Sequence, residues 1–174
     1  MPWCGMKTVR RNVRNHPNRL LLETTEQKKI LVLGIGNILM NDEGIGIAVV
    51  SYLEQEGFKD ADLADGGTGG IHLLSLIQSY ERVIIVDASL DAFPPGTVRV
   101  LHPRFASDFP AQLSAHEFGL RDLIMTATVT GYLPEMDLVA ISVKNFQRMG
   151  MEISKEVEVA IPEAIGAGKK LVAG

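Results

Sequence analysis

Two short segments constrain the fold more than anything else in this sequence: Lys29 to Ile35 (KILVLGI) and Arg82 to Ala88 (RVIIVDA). Both are nearly continuous apolar runs rich in β-branched residues, the pattern of parallel strands buried on both faces. Parallel strands need a crossover connection, most often a helix. The residues between supply one. Glu43 to Gln55 places Ile47, Val50 and Leu53 at helical spacing, Ala61 to Asp65 reads as a short strand, and Gly69 to Ser79 carries Leu73, Leu74 and Ile77 on one helical side.

Beyond Ala88 the Pro94-Pro95-Gly96 turn leads into an alternating strand, Thr97 to Leu101. That link is too short for a helical crossover, so this strand is expected to be antiparallel and at an edge. After a proline-containing loop over 102–113, the pattern predicts a helix from Ser114 to about Thr128 and a last strand from Asp137 to Val143. A closing helix from Ser154 to about Val172 is expected to kink at Pro162. No internal repeat and no second domain is visible. The expected architecture is α/β: a single-domain, three-layer α/β/α sandwich whose mixed, mostly parallel sheet has about five strands, one of them an antiparallel edge strand.

Charge divides the chain unevenly. Residues 1–29 hold seven Lys/Arg against two Glu, whereas 30–174 hold ten against nineteen Asp and Glu. Residues 1–28 are read as a basic, flexible extension and 29–174 as the folded domain. The extension lacks an apolar core segment, so it does not read as a secretory signal. So acidic a body is a poor partner for nucleic acid. The longest apolar run, Ile30 to Gly36, falls far short of the roughly 20 residues of a membrane-spanning helix. Cys4 is the only cysteine, which excludes an internal disulfide or a thiolate metal cage and fits a reducing cytoplasm.

In sheets of this kind ligands bind beyond the carboxyl ends of the strands. Those ends carry Asp42 and Glu43 in GIGNILMNDEGIG (residues 34–46), Asp65 before GGTGG, and Asp87 closing the third strand; His116 lies in SAHEFGL (114–120). Gly34-Ile35-Gly36 is not a dinucleotide fingerprint, because Leu39 stands where the third small residue is required and an acidic pair at the helix start would repel phosphate. No zincin helix and no nucleophile elbow is present.

Each candidate also has a plain structural reading. Asp42 and Glu43 can simply stabilise a helix start, but Gly44 and Gly46 beside them suggest that something approaches the backbone closely. Asp87 can be a turn former at a strand tip. His116 can be an exposed residue in the capping box Ser114-Ala115-His116-Glu117, or a neutral, metal-binding imidazole. His16, in the extension, and His102, beside Pro103, read as unremarkable, and His72 as a surface residue with lining of the cleft as the alternative. Glu43, Asp87 and His116 together suit an open divalent-metal site, with Asp42 and Asp65 as supporting or base candidates.

In this order, the segments ILVLGIGNILMNDEGIG, DADLADGGTGG, VIIVDA with its trailing PPGTV, and SAHEFGL resemble the hydrogenase maturation protease family, over the stretch from about Lys29 to the C-terminus. The resemblance implies that Glu43, Asp87 and His116 are the family's nickel-contacting residues. It also implies a nickel-dependent endopeptidase, cytoplasmic and monomeric, that trims the C-terminal extension of a nickel–iron hydrogenase large-subunit precursor after nickel insertion, the nickel being carried by that precursor. Two alternatives remain at this point: a non-catalytic nickel-sensing chaperone of the precursor, and a metal-dependent hydrolase of small molecules. The extension departs from the family pattern, as does Val143-Lys144-Asn145-Phe146, which lacks the proline that often follows the last strand.

Overall fold

The structure is a computed structural model that describes residues 30–104, 106–110, 117–145 and 149–174. The N-terminal extension, Cys4, His16, Phe146 and His116 lie outside the described residues. Five strands form one sheet: β1 (Ile30–Gly34), β2 (Asp62–Asp65), β3 (Arg82–Ser89), β4 (Val98–Leu101) and β5 (Glu135–Ser142). Their order is β2-β1-β3-β5-β4. The first three pairings are parallel and only β4, at the edge, runs antiparallel to β5.

Helices α1 (Ile45–Gln55), α2 (Leu74–Ile77), α3 (Glu117–Val129), α4 (Lys155–Glu158) and α5 (Ile161–Ala173) cover the sheet. Strand alternation sorts the apolar residues into two cores. Leu31, Leu33, Val83, Ile85 and Leu138 join Ile77 of α2 and Leu123, Ile124 and Ala127 of α3. Val32, Ile84, Val86, Val139 and Ile141 join Ile45, Val49 and Leu53 of α1 and Ile161, Ala164 and Ile165 of α5. The central strands therefore bury both faces, as their unbroken apolar runs require. Burying each such side chain is worth roughly 1.5–3 kcal/mol. A strand seated this firmly can carry a polar residue at its end.

Three expected elements differ in form. The helix expected from Glu43 starts two residues later: Asn41–Gly44 is a 3-10 turn leading into α1. The Gly69–Ser79 segment shrinks to a 3-10 turn, Ile71–Leu73, and the single turn of α2. The closing helix is broken at Val159-Ala160 rather than kinked, and Pro162 sits in the first turn of α5, where its missing N–H costs no helical bond.

Candidate active site

β1 stops at Gly34, opposite Val86, whereas β3 continues to Ser89 alongside β5. From Asp87 onward β3 therefore has a strand neighbour on one flank only. By alternation Asp87 shares a face with Val83 and Ile85, the face that α3 covers. Its Oδ1 accepts the N–H of Ala88 at 2.8 Å. The 3-10 turn holding Glu43 packs against β3 at this same carboxyl edge. Both carboxylates are buried, Glu43 at 0% and Asp87 at 1% exposure. Glu43 thus lies deeper than a first-turn helical residue near solvent would. The third candidate, His116, is outside the described residues; the helix that follows it, α3, begins at Glu117. Among the described residues alone, no group of three His, Cys, Asp or Glu side chains is placed to hold a metal ion.

The glycines of the first motif have an explanation inside the chain itself. A Cβ on Gly46 would lie 2.2 Å from the Val86 carbonyl oxygen and 2.3 Å from that of Ile35. One on Gly36, whose φ is +149°, would meet the Glu43 carbonyl oxygen at 1.9 Å, and one on Gly44 would meet the Ile38 Cα at 3.0 Å. What approaches these backbones is therefore the chain's own backbone. The close approach expected at Gly44 and Gly46 is there, and the chain itself makes it: these glycines let the start of α1 close down on the ends of β1 and β3.

Asp42 faces away from this packing and ties the turn to a distant segment. Its Oδ1 accepts the Ser154 N–H at 2.6 Å and its Oδ2 the Ser154 hydroxyl at 2.9 Å. Ser154 is the residue before α4. The Asp42 carboxylate thus holds the N-terminus of α4, where negative charge is favoured, instead of capping its own turn. Two backbone bonds reinforce the junction: Asn41 N–H to Gly150 O and Gly150 N–H to Leu39 O, both at 2.9 Å. Sequence reasoning missed Ser154 because nothing local marks it; only its partner 112 residues away gives it a role.

Asp65 is exposed at the end of β2, and its Oδ1 accepts the Gly67 N–H at 2.7 Å. The GGTGG loop it opens crosses the tip of β1, with Gly36 N–H bonded to Gly67 O at 2.8 Å. His72 is exposed on the 3-10 turn after that loop, as expected. His102 is exposed and pairs with a buried acid. Its Nδ1 lies 2.5 Å from Oδ1 of the buried Asp137, whose Oδ2 receives Arg82 at 2.6 Å from Nη2. This cluster sits toward the amino ends of β3 and β5, away from the candidate site.

Just beyond Asp87, the buried Ser89 and Ser142 pair across β3 and β5 beneath the Asp91 loop. Asp91 forms an ion pair with Arg99, whose guanidinium stacks 4.5 Å over the Phe93 ring. Burial pushes the Asp91 pKa up; the hydroxyls of Ser142 and Ser89, the Phe93 N–H and the Arg99 charge outweigh it and leave the group below its ordinary value.

A cleft of about 1100 Å³ opens beside the 3-10 turn, lined among others by Met40, Asn41, Asp42, Lys144, Met151 and Ser154. Glu43 and Asp87 do not line it. Asp42 is the link between the cleft and the buried pair.

Comparison with known proteins agrees with this arrangement. The family model described as hydrogenase maturation protease matches residues 47–170. The hydrogenase 2 maturation protease of Escherichia coli K12 is 33% identical over 147 residues, covering 80% of this chain and 90% of its own. The hydrogenase expression/formation protein HupM of Azotobacter chroococcum is 34% identical over 149 residues, 82% of this chain and 70% of its own. Among solved structures, the hydrogenase maturating endopeptidase HybD of E. coli superposes with a TM-score of 0.74 at 31% identity, covering 83% of this chain and 92% of its own. HybD from Thermococcus kodakarensis gives 0.70 at 29% identity, covering 83% and 99%. The fold thus has its counterpart in a known group of enzymes, and this chain belongs to the hydrogenase maturation protease family.

Proposed function

We propose that the chain is an endopeptidase that removes the C-terminal extension of a nickel–iron hydrogenase large-subunit precursor once nickel has been inserted. In this reading the metal belongs to the substrate. The precursor presents nickel on its own ligands, and Glu43, Asp87 and His116 fill the positions left open, which sets the scissile peptide beside the site. A hard carboxylate pair with one imidazole suits a borderline divalent ion and leaves coordination sites for a substrate. Nickel bound in that way supplies a positive charge close to the peptide bond.

The observation that carries the reading is the burial of Glu43 and Asp87 together at the carboxyl edge, within a chain of this family. Two carboxylates on neighbouring elements at one edge of the sheet are oxygen donors of the kind a borderline divalent ion accepts alongside an imidazole. The single cysteine and the acidic body suit a cytoplasmic enzyme that takes a protein substrate and not a nucleic acid.

The test is direct. Purified chain is mixed with nickel-loaded and nickel-free precursor, and the precursor mass is followed. The loaded form should lose its C-terminal peptide and the nickel-free form should stay intact. Equal processing of both would remove the substrate-borne metal from the mechanism, and no processing of either would remove the endopeptidase activity.

A further inference from the structure

Four large apolar side chains stand exposed around the cleft: Ile38 at 51%, Leu39 at 54%, Met149 at 84% and Met151 at 72%. They come from two segments that the fold locks together. Met40 and Gly150 form a parallel bridge, flanked by the two backbone bonds that join Leu39 and Asn41 to Gly150. Asn37 Oδ1 accepts the Leu39 N–H at 3.0 Å, and Asn41 holds a left-handed backbone with φ +52°. Gly150 packs closely against the Asn41 side chain, since a Cβ there would lie 2.1 Å from the Asn41 Oδ1 and push that amide aside. The Asp42–Ser154 bonds close the same junction from the other side.

Single apolar side chains scattered on a surface need no explanation. Four on one braced scaffold do, because contiguous apolar surface marks a place where another molecule is bound. Methionine suits such a place, since its unbranched side chain adapts to an irregular partner. We propose that this ledge is the docking surface for an apolar stretch of the precursor polypeptide that lies next to its scissile bond, an inference that rests on the endopeptidase reading above.

The location identifies the occupant. Leu39 is four residues from Glu43 on the same segment, a span of at most about 14 Å of extended chain. A polypeptide with its scissile bond beside the acidic turn therefore has a neighbouring stretch of about four residues within reach of the ledge. Met151 also lines the cleft together with Met40 and Asn41, so the ledge and the cleft form one continuous surface. The cleft carries both signs of charge, in Lys144, Lys155, Glu152 and Glu156. The four described side chains of the ledge are all apolar, so they select by apolar contact.

The experiment compares the full chain with its Met149→Glu/Met151→Glu variant, using nickel-loaded precursor and measuring direct binding, KM, kcat and melting temperature. Val129→Glu, at an exposed apolar residue on α3, is the control. The double variant should melt as the wild type does, bind the precursor at least tenfold more weakly and raise KM by a similar factor. Its kcat at saturating precursor should stay within threefold, and the Val129 variant should match the wild type throughout. If the double variant melts lower, Met149→Glu alone carries the comparison. Unchanged binding and KM would overturn the proposal. So would a wild-type dimer that the double variant converts to monomer with precursor binding intact, because the ledge would then belong to a second copy. A wild-type chain that binds precursor through the ledge without cutting it would uphold the docking surface and overturn the endopeptidase reading.

Discussion

Gly46 and Gly166 are the same residue under opposite demands. At Gly46 a methyl group would run into two carbonyl oxygens, whereas at Gly166, inside α5, it would meet nothing within 4 Å. Gly46→Ala should lose about 1–3 kcal/mol or more in urea unfolding through overpacking. Gly166→Ala should gain up to about 1 kcal/mol from helix propensity. Glu43→Gln and Asp87→Asn replace buried carboxylates with amides of nearly the same shape and should leave the fold standing. Each should cut processing of nickel-loaded precursor by more than tenfold if its carboxylate supplies more than about 1.4 kcal/mol. His72→Ala should process normally. Asp91 carries a pH signature. Its folded pKa lies below the unfolded value of about 3.9, so the ionised form stabilises the fold above that pH, and the contribution disappears as pH falls through the folded value. Asp91→Asn should therefore flatten the acid limb of a stability-versus-pH curve below about pH 4 and leave its slope near neutrality unchanged.

Among the elements, the junction of the acidic turn with α4 is the one that sequence patterns could least reveal. A double-mutant cycle on Asp42→Ala and Ser154→Ala should show a coupling of about 0.5–3 kcal/mol, where distant independent sites would add to within about 0.5. The strands were legible because burial on two faces leaves an unbroken apolar run, and β4 because Pro94-Pro95-Gly96 leaves no room for a crossover. The place of Asp87 at the carboxyl edge was legible because it follows such a run, and that of Glu43 because it starts the next element. The 3-10 form of Asn41–Gly44 was not, since propensity does not separate a tight turn from a first helical turn. The purpose of Gly46 was visible only once Val86 stood opposite it. Periodicity likewise extended the closing helix through Val159-Ala160, although Pro162 already marked a new start.

At the scale of the whole molecule, the chain is one acidic body of two cores about a single sheet. The strand pattern begins at Lys29, so a chain starting at Lys28 should keep its melting temperature and its processing activity, measured side by side with the full length. A drop of several degrees or a large loss of turnover would assign residues 1–27 to the working enzyme. The Asp42–Ser154 tie also imposes an order in time. Ser154 is made 112 residues after Asp42, which at about 5–20 residues per second is about 6–22 s of translation. During that interval the turn that holds Glu43 has neither its carboxylate anchor nor its bridge to Gly150. The growing polypeptide can collapse its first strands, but the acidic turn gains its braces only once Gly150 and Ser154 have been made, so a chain cut before Gly150 should hold that turn less firmly than the full sequence, a difference that hydrogen exchange of residues 37–44 would read.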